Sequence, residues 1–311
     1  MTDLATTAAI AVEAPARRRR RFPIQAIIGT LPMIIVSFSV FFVAIIFSVL
    51  WSFTDSGMFP NLHFIGFSQY TRLWNTAIWQ VAVNNIWFFG LLSLTVNLVG
   101  GFLLAVFMDQ NIKQESLLRT IFLYPFAMSL VVTGLAWQWI LDPGLGLQEA
   151  VRNWGWTSFN FAPLVHNETA IYGLVVAGIW QGAGVTMAIM LAGLRGVDQE
   201  VWKAAKIDGI PTWRTYLFIV LPMMRGALGT VLLLQLTGIA RTFDLPYAMT
   251  SGGPGIATQM PAMYVISFIT VRLNVGQGMA AATMMLLPIA LILIIRAIVM
   301  WRMERRRGLN A

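Results

Sequence analysis

The chain has 311 residues, of which 58% are hydrophobic and only 11% charged, a balance far too apolar for a soluble globular protein of this length. Its formal net charge of +8 is no nucleic-acid footprint, because the cations cluster between apolar spans and so read as topology signals. There is no cysteine, which excludes disulfides, thiolate catalysis and cysteine-based metal sites.

Residues 1–21 are alanine-rich and polar and end in the basic block Arg17 to Arg21. They are expected to be a disordered N-terminus. The apolar run from about Ile24 to Trp51 is too long for the core of a cleaved signal peptide, and no small-residue cleavage site follows it, so it reads as an uncleaved first span. Further spans are expected at roughly 82–108, 119–141, 170–194, 223–245 and 279–301, each near the ~20 residues a helix needs to cross a bilayer. The expected fold is all-α: a polytopic membrane protein with six transmembrane helices in one domain, residues 22–301, closed by a basic tail, residues 302–311.

Orientation follows from lysine and arginine. Five arginines precede the first span, Lys113 and Arg119 lie in the second connection, five cations lie between Arg195 and Arg225, and Arg302, Arg305, Arg306 and Arg307 fill the tail. The alternate connections hold only Arg72, Arg152 and Arg272. By the positive-inside rule both termini and the 195–222 segment are cytoplasmic. Trp51, Trp74, Trp79, Trp139, Trp154 and Trp156 fall at or beyond span ends, the positions of an interfacial aromatic belt, with sugar stacking as the sharper alternative. His63 and His166 sit in external loops and read as surface residues. The external stretches 52–81 and 142–169 are long enough to receive a partner but too short to be domains.

The segment 195–222 is unlike a plain connection. Asp198 can cap a short helix with Val201, Ala204 and Ala205 on one face, and Gly209 supplies the turn that ends it. Pro211 and Thr212 start a second helix with Trp213, Tyr216, Leu217 and Ile219 as its apolar side, until Pro222 hands it to the next span. An ordered amphipathic hairpin with exposed Lys203 and Lys206 is a docking element.

The run Ala204-Ala205-x-Ile207-Asp208-Gly209, with Trp213, Ile219, Leu221 and Pro222 at their spacings, resembles the EAA loop of ABC importer permeases. Lys203 stands where that family has a glutamate, and Glu200 fits the acidic position three residues earlier. Leu31-Pro32, Ser52 to Asp55, Gly66 with Tyr70, Asn84, Tyr124-Pro125 through Trp137, Trp139 and Asp142 to Gly146, and Phe243 to Thr258 are similar to carbohydrate-uptake permeases of the maltose-transporter class, the last resembling the first of its two permease subunits. The resemblance implies a type I importer permease fold in the bacterial cytoplasmic membrane. It also implies a second, different permease subunit, two cytoplasmic ATPases and an extracytoplasmic solute-binding protein. Glu200, Lys203, Ala204, Ala205, Asp208 and Gly209 would then couple the chain to the ATPase.

No G-x-x-x-x-G-K-[ST] loop occurs, so ATP and magnesium are expected on the partner ATPase and no cofactor on this chain. No paired carboxylates, Ser-His-Asp set or histidine-rich metal cluster appears within the spans, so the chain is not expected to be an enzyme. Intramembrane charge is costly and usually faces protein or water. Arg241 and Asp244, three apart, would share a helical face and pair; the alternative is that Arg241 meets an anionic or heavily hydroxylated substrate. Among the amides in or near spans, Asn84, Asn85, Asn97, Gln138, Gln181 and Gln235, helix-to-helix bonding is the commoner role, although amides also suit sugars. The expected substrate path comprises Asn84, Gln181, Gln235, Arg241 and Asp244.

The function expected is half of a translocation path for a sugar or sugar derivative, working by alternating access. An ion- or proton-coupled secondary transporter would need an intramembrane carboxylate or histidine relay, and a non-transporting membrane scaffold would need no pathway at all.

Overall fold

The computed structural model describes residues 24–59, 61–110 and 112–308. The basic stretch 1–21 and the last three residues of the tail lie outside the described residues. Among these residues the chain is helical throughout, and its one extended pairing is an isolated bridge between Thr54 and Phe64.

The chain falls into two compact units that meet in sequence at Phe47 and Ser48. The first holds most of helix α1, Ile24–Trp51. Met33, Ile34, Phe38, Phe41 and Val43 are all exposed on it, the all-round apolar surface of a helix made for lipid.

In the second unit a short helix, α2 (Ser68–Trp74), precedes the long α3 (Ala77–Met108). The third expected span is not one helix. It is α4 (Glu115–Ala127) and α5 (Leu130–Ile140), which meet at 100°. Met128 and Ser129 take extended backbone between them, with ψ of 148° and 147°. Ser129 Oγ then accepts the Val132 N–H at 3.2 Å, so the serine begins a new helix where the old one could have continued. Pro125 lies in the last turn of α4 and weakens it.

After α6 (Leu147–Asn153) comes α7 (Ala170–Arg195), which packs against α3 more extensively than any other pair of helices in the second unit. Small residues make the approach possible: a Cβ on Gly101 would lie 2.4 Å from Thr186 Cγ2, the small-residue packing typical of helices in lipid. The hairpin follows as α8 (Gln199–Ile207), α9 (Thr212–Arg214), a π-helical stretch Thr215–Val220 and α10 (Leu221–Met223).

The fifth expected span, 223–245, is also shorter. Helix α11 (Arg225–Ala240) meets the preceding limb at 75° and stops, and α12 (Asp244–Thr250) starts afresh. Pro246 explains the stop: in a continuous helix it would withhold the N–H owed to Thr242 and crowd that carbonyl, whereas in the first turn of a new helix it is tolerated. Helices α13 (Pro261–Thr270) and α14 (Val275–Gly308) complete the chain.

Among the described residues three helices are long and apolar enough to cross a membrane, and five spans result if each bent pair counts as one. Helix α14, with 34 residues, stands where the sixth is expected. Two cores lie at opposite ends of α7. Phe89, Leu174, Leu245, Met249 and Met260 form one; Met108, Met190, Leu194, Val197, Val220 and Met224 form the other, beneath the hairpin.

Candidate functional site

The hairpin begins as expected. Asp198 is the N-cap of α8 and its Oδ1 accepts the Glu200 N–H at 3.0 Å. The helix ends in a Schellman motif: Gly209 N–H bonds the Lys206 carbonyl at 3.2 Å and Ile210 N–H the Ala205 carbonyl at 3.0 Å. That motif needs a residue in the left-handed region just past the cap, and Gly209 occupies it with φ of 68°, a conformation that costs glycine nothing and an L-residue about 1 kcal/mol.

The second limb departs from a regular helix. Its π-helical stretch runs up to Pro222, which has no N–H to give the Phe218 carbonyl, and the ladder widens over the residues before it. This turns the packing side from the one expected. Of the expected side, Tyr216 and Ile219 are half-buried, but Trp213 and Leu217 stand exposed and Thr215 and Val220 are buried instead. A similar correction holds in α8, where Ala205 is buried but Ala204 is exposed. The inward face is Val201, Trp202 and Ala205, because the bulky Trp202 claims the side next to the core.

The limbs are joined and seated by aromatic rings. Trp202 and Tyr216 meet edge to face at 5.0 Å, and Tyr216 meets Phe102 of α3 at 6.4 Å, contacts worth about 0.5–1.5 kcal/mol beyond burial. The seated underside leaves Glu200, Lys203, Ala204, Lys206, Ile207, Asp208 and Gly209 facing outward. Ile207 is 85% exposed, with Phe218 and Trp213 also bare. Arg214 lies over the Trp213 ring at 5.1 Å.

At the root of the hairpin is a cluster of charges that sequence reading did not assemble. The Arg195 guanidinium reaches Asp109 Oδ1 at 3.4 Å and Glu115 Oε2 at 2.9 Å, and Arg119 donates to Glu115 Oε1 at 2.5 Å. Opposite charges in connections that flank the same core were a usable signal, but one sequence does not say which of them meet.

The residues expected along a substrate path do not form one cluster. Gln181 Nε2 donates to the Met128 carbonyl at 3.4 Å, serving a backbone group freed by the α4–α5 break. Gln235 Nε2 donates to Thr186 Oγ1 at 3.0 Å, and that hydroxyl donates to the Gly182 carbonyl. Both glutamines therefore tie other elements to α7, the commoner role for such amides. Asn84 is exposed; its neighbour Asn85 is buried and donates to the Ala257 and Gln259 carbonyls at 2.8 and 3.0 Å. Arg241 and Asp244 are corrected most. They lie on either side of the break, Arg241 as C-cap of α11 and Asp244 as the first residue of α12. Both are exposed, and no ion pair joins them among the described residues. At the end of α7 away from the hairpin, Gln138, Leu141, Asp142, Leu164, Thr250 and Pro254 line an open cavity of about 250 Å³.

Residues 97–307 match the sequence profile of the family described as "Binding-protein-dependent transport system inner membrane component". A probable ABC transporter permease protein of Pyrococcus horikoshii is 33% identical over 257 residues, covering 82% of this chain and 88% of the relative. A trehalose/maltose transport system permease protein of Thermococcus litoralis is 26% identical over 263 residues, with 82% and 88% covered. In fold the chain is similar to a chain in the crystal structure of a bacterial ABC transporter involved in the import of the acidic polysaccharide alginate. The TM-score is 0.73 at 18% identity, covering 90% of this chain and 94% of that one.

Proposed function

Because the chain belongs to the family of binding-protein-dependent transport system inner membrane components, we propose that it forms half of the translocation path of an ATP-driven importer for a sugar or sugar derivative. As a member it is a transport permease component and not a catalytic enzyme. The rest of the assembly in this reading is a second permease subunit, two cytoplasmic ATPases that hold ATP and magnesium, and an extracytoplasmic solute-binding protein. The sugar is supported by the relative named for trehalose and maltose and by the alginate importer of similar fold.

The observation that carries this reading is the hairpin: seated on its core by Trp202 and Tyr216, closed by Gly209 at φ of 68°, and bare at Ile207. A rigid knuckle with an exposed apolar tip among charged residues has the form of a docking surface. The ATPase would hold Glu200, Lys203, Ala204, Asp208 and the turn at Gly209, with Ala205 fixing α8 to the core. With the knuckle, both termini would be cytoplasmic. Closure of the ATPases would displace it, and the helices rooted in the same core would move as rigid elements, opening the path alternately to each side. Asn84, Gln181, Gln235, Arg241 and Asp244 are the proposed path residues. An exposed Arg241 without Asp244 beside it suits an acidic or heavily hydroxylated solute.

Gly209→Trp tests the hairpin. A bulky residue at this φ distorts the turn while leaving the spans untouched, so the variant should insert normally, hydrolyse ATP in the assembled complex and import little. Full import by that variant would remove the hairpin from the mechanism.

A further inference from the structure

We propose that Arg195 is a positioning residue that clamps the root of the hairpin to the connection between α3 and α4, so that displacement of the hairpin reaches three helices together. The proposal rests on the reading of the hairpin as the ATPase contact.

Arg195 is the last residue of α7 and the point from which the hairpin departs. Its guanidinium touches both ends of a single short connection. On one side are the carboxylate of Asp109, the C-cap residue of α3, and the Met108 carbonyl at 3.5 Å; on the other is Glu115, the first residue of α4. Glu115 is further held by Arg119 one turn along α4. Of the four ion pairs among the described side chains, three lie in this cluster and the fourth joins Arg72 to Asp55. The concentration is therefore local to the hairpin's root.

The chemistry favours transmission over stability. The side chains of Arg195, Asp109 and Glu115 are 44%, 26% and 29% exposed, and ion pairs so open to water add little to folding. Geometry is what they fix: a planar guanidinium with several donors can hold two carboxylates and a carbonyl at set directions, which a lysine cannot. The apolar underside of the hairpin reaches the same helices through side chains such as Leu118 and Phe122, but those contacts can slide. Without the clamp, motion of the hairpin would be absorbed at the α7 root before it reached α4 and, through the bend at Met128, α5.

The test uses the complete complex in proteoliposomes and reads solute imported per ATP hydrolysed. Arg195→Ala should lower that ratio about tenfold, within the range by which residues along a coupling route modulate it. Arg195→Lys, which keeps the charge without the fork, should stay well below wild type, between about threefold and tenfold down, because charge alone does not fix the geometry. Should Arg195→Ala fail to insert, Glu115→Gln carries the same test. A purely structural role would reduce the amount of complex and leave the ratio of the surviving complexes at the wild-type value, and that result would overturn the proposal. Gly209→Trp run in parallel separates the two readings. If it uncouples while Arg195→Ala does not, only the clamp is lost; if neither changes the ratio, the hairpin reading fails with it.

Discussion

At the scale of single residues, glycines and prolines set where helices can touch and where they must stop. Gly184 is the tightest case, since a Cβ there would sit 1.8 Å from the Phe122 carbonyl oxygen. Backbone cannot yield as a flexible side chain can, so Gly184→Ala should destabilise the protein by on the order of 3 kcal/mol. Thermal unfolding of the purified variant in detergent should therefore fall well below wild type, and an unchanged transition would show that α4 and α7 do not approach so closely. Gly209 works differently, through φ instead of space, because nothing lies near its missing Cβ. Its place in the turn was legible in the sequence, where a lone glycine closes an amphipathic run after a capped start. Gly184 gave no such sign, for its constraint comes from a helix more than fifty residues away.

At the scale of elements, what could be read was the existence of the long apolar helices and the hairpin, and what could not was their continuity or the short helices α2, α6 and α13 in stretches read as connections. Apolar composition marks a span, yet the bend at Met128 and Ser129 and the stop at Ala240 depend on one or two backbone conformations inside runs that stay apolar. Pro125 and Pro246 were visible hints; the capping role of Ser129 was not. The hairpin shows the same division. Its caps were written in Asp198 and Gly209, but its packing faces were turned by Trp202 and by the π-helical stretch before Pro222. The exposed tip makes a specific demand on this element. Ile207→Glu places a charge at the centre of the proposed docking surface and should weaken retention of the proposed ATPase partner by about tenfold or more, the loss typical of a central interface residue. Copurification from solubilised membranes measures it, and wild-type retention would place the contact elsewhere on the chain.

For the whole molecule, the residues proposed for the path divide into two groups. Gln181 and Gln235 are engaged in bonds within the chain, while Asn84, Arg241 and Asp244 face outward from it. A path shared by two permeases would be completed by side chains from the other, so the outward group is the one to vary when solute selectivity is studied. In the proposed reading these apolar helices form part of a conduit whose driving force comes from outside the chain. Solute uptake into sealed vesicles, with this chain present alone or with its permease, ATPase and binding-protein partners and ATP, tests that claim most directly. Uptake should appear only in the complete, ATP-supplied vesicles; accumulation driven by this chain with no ATPase present would contradict the account.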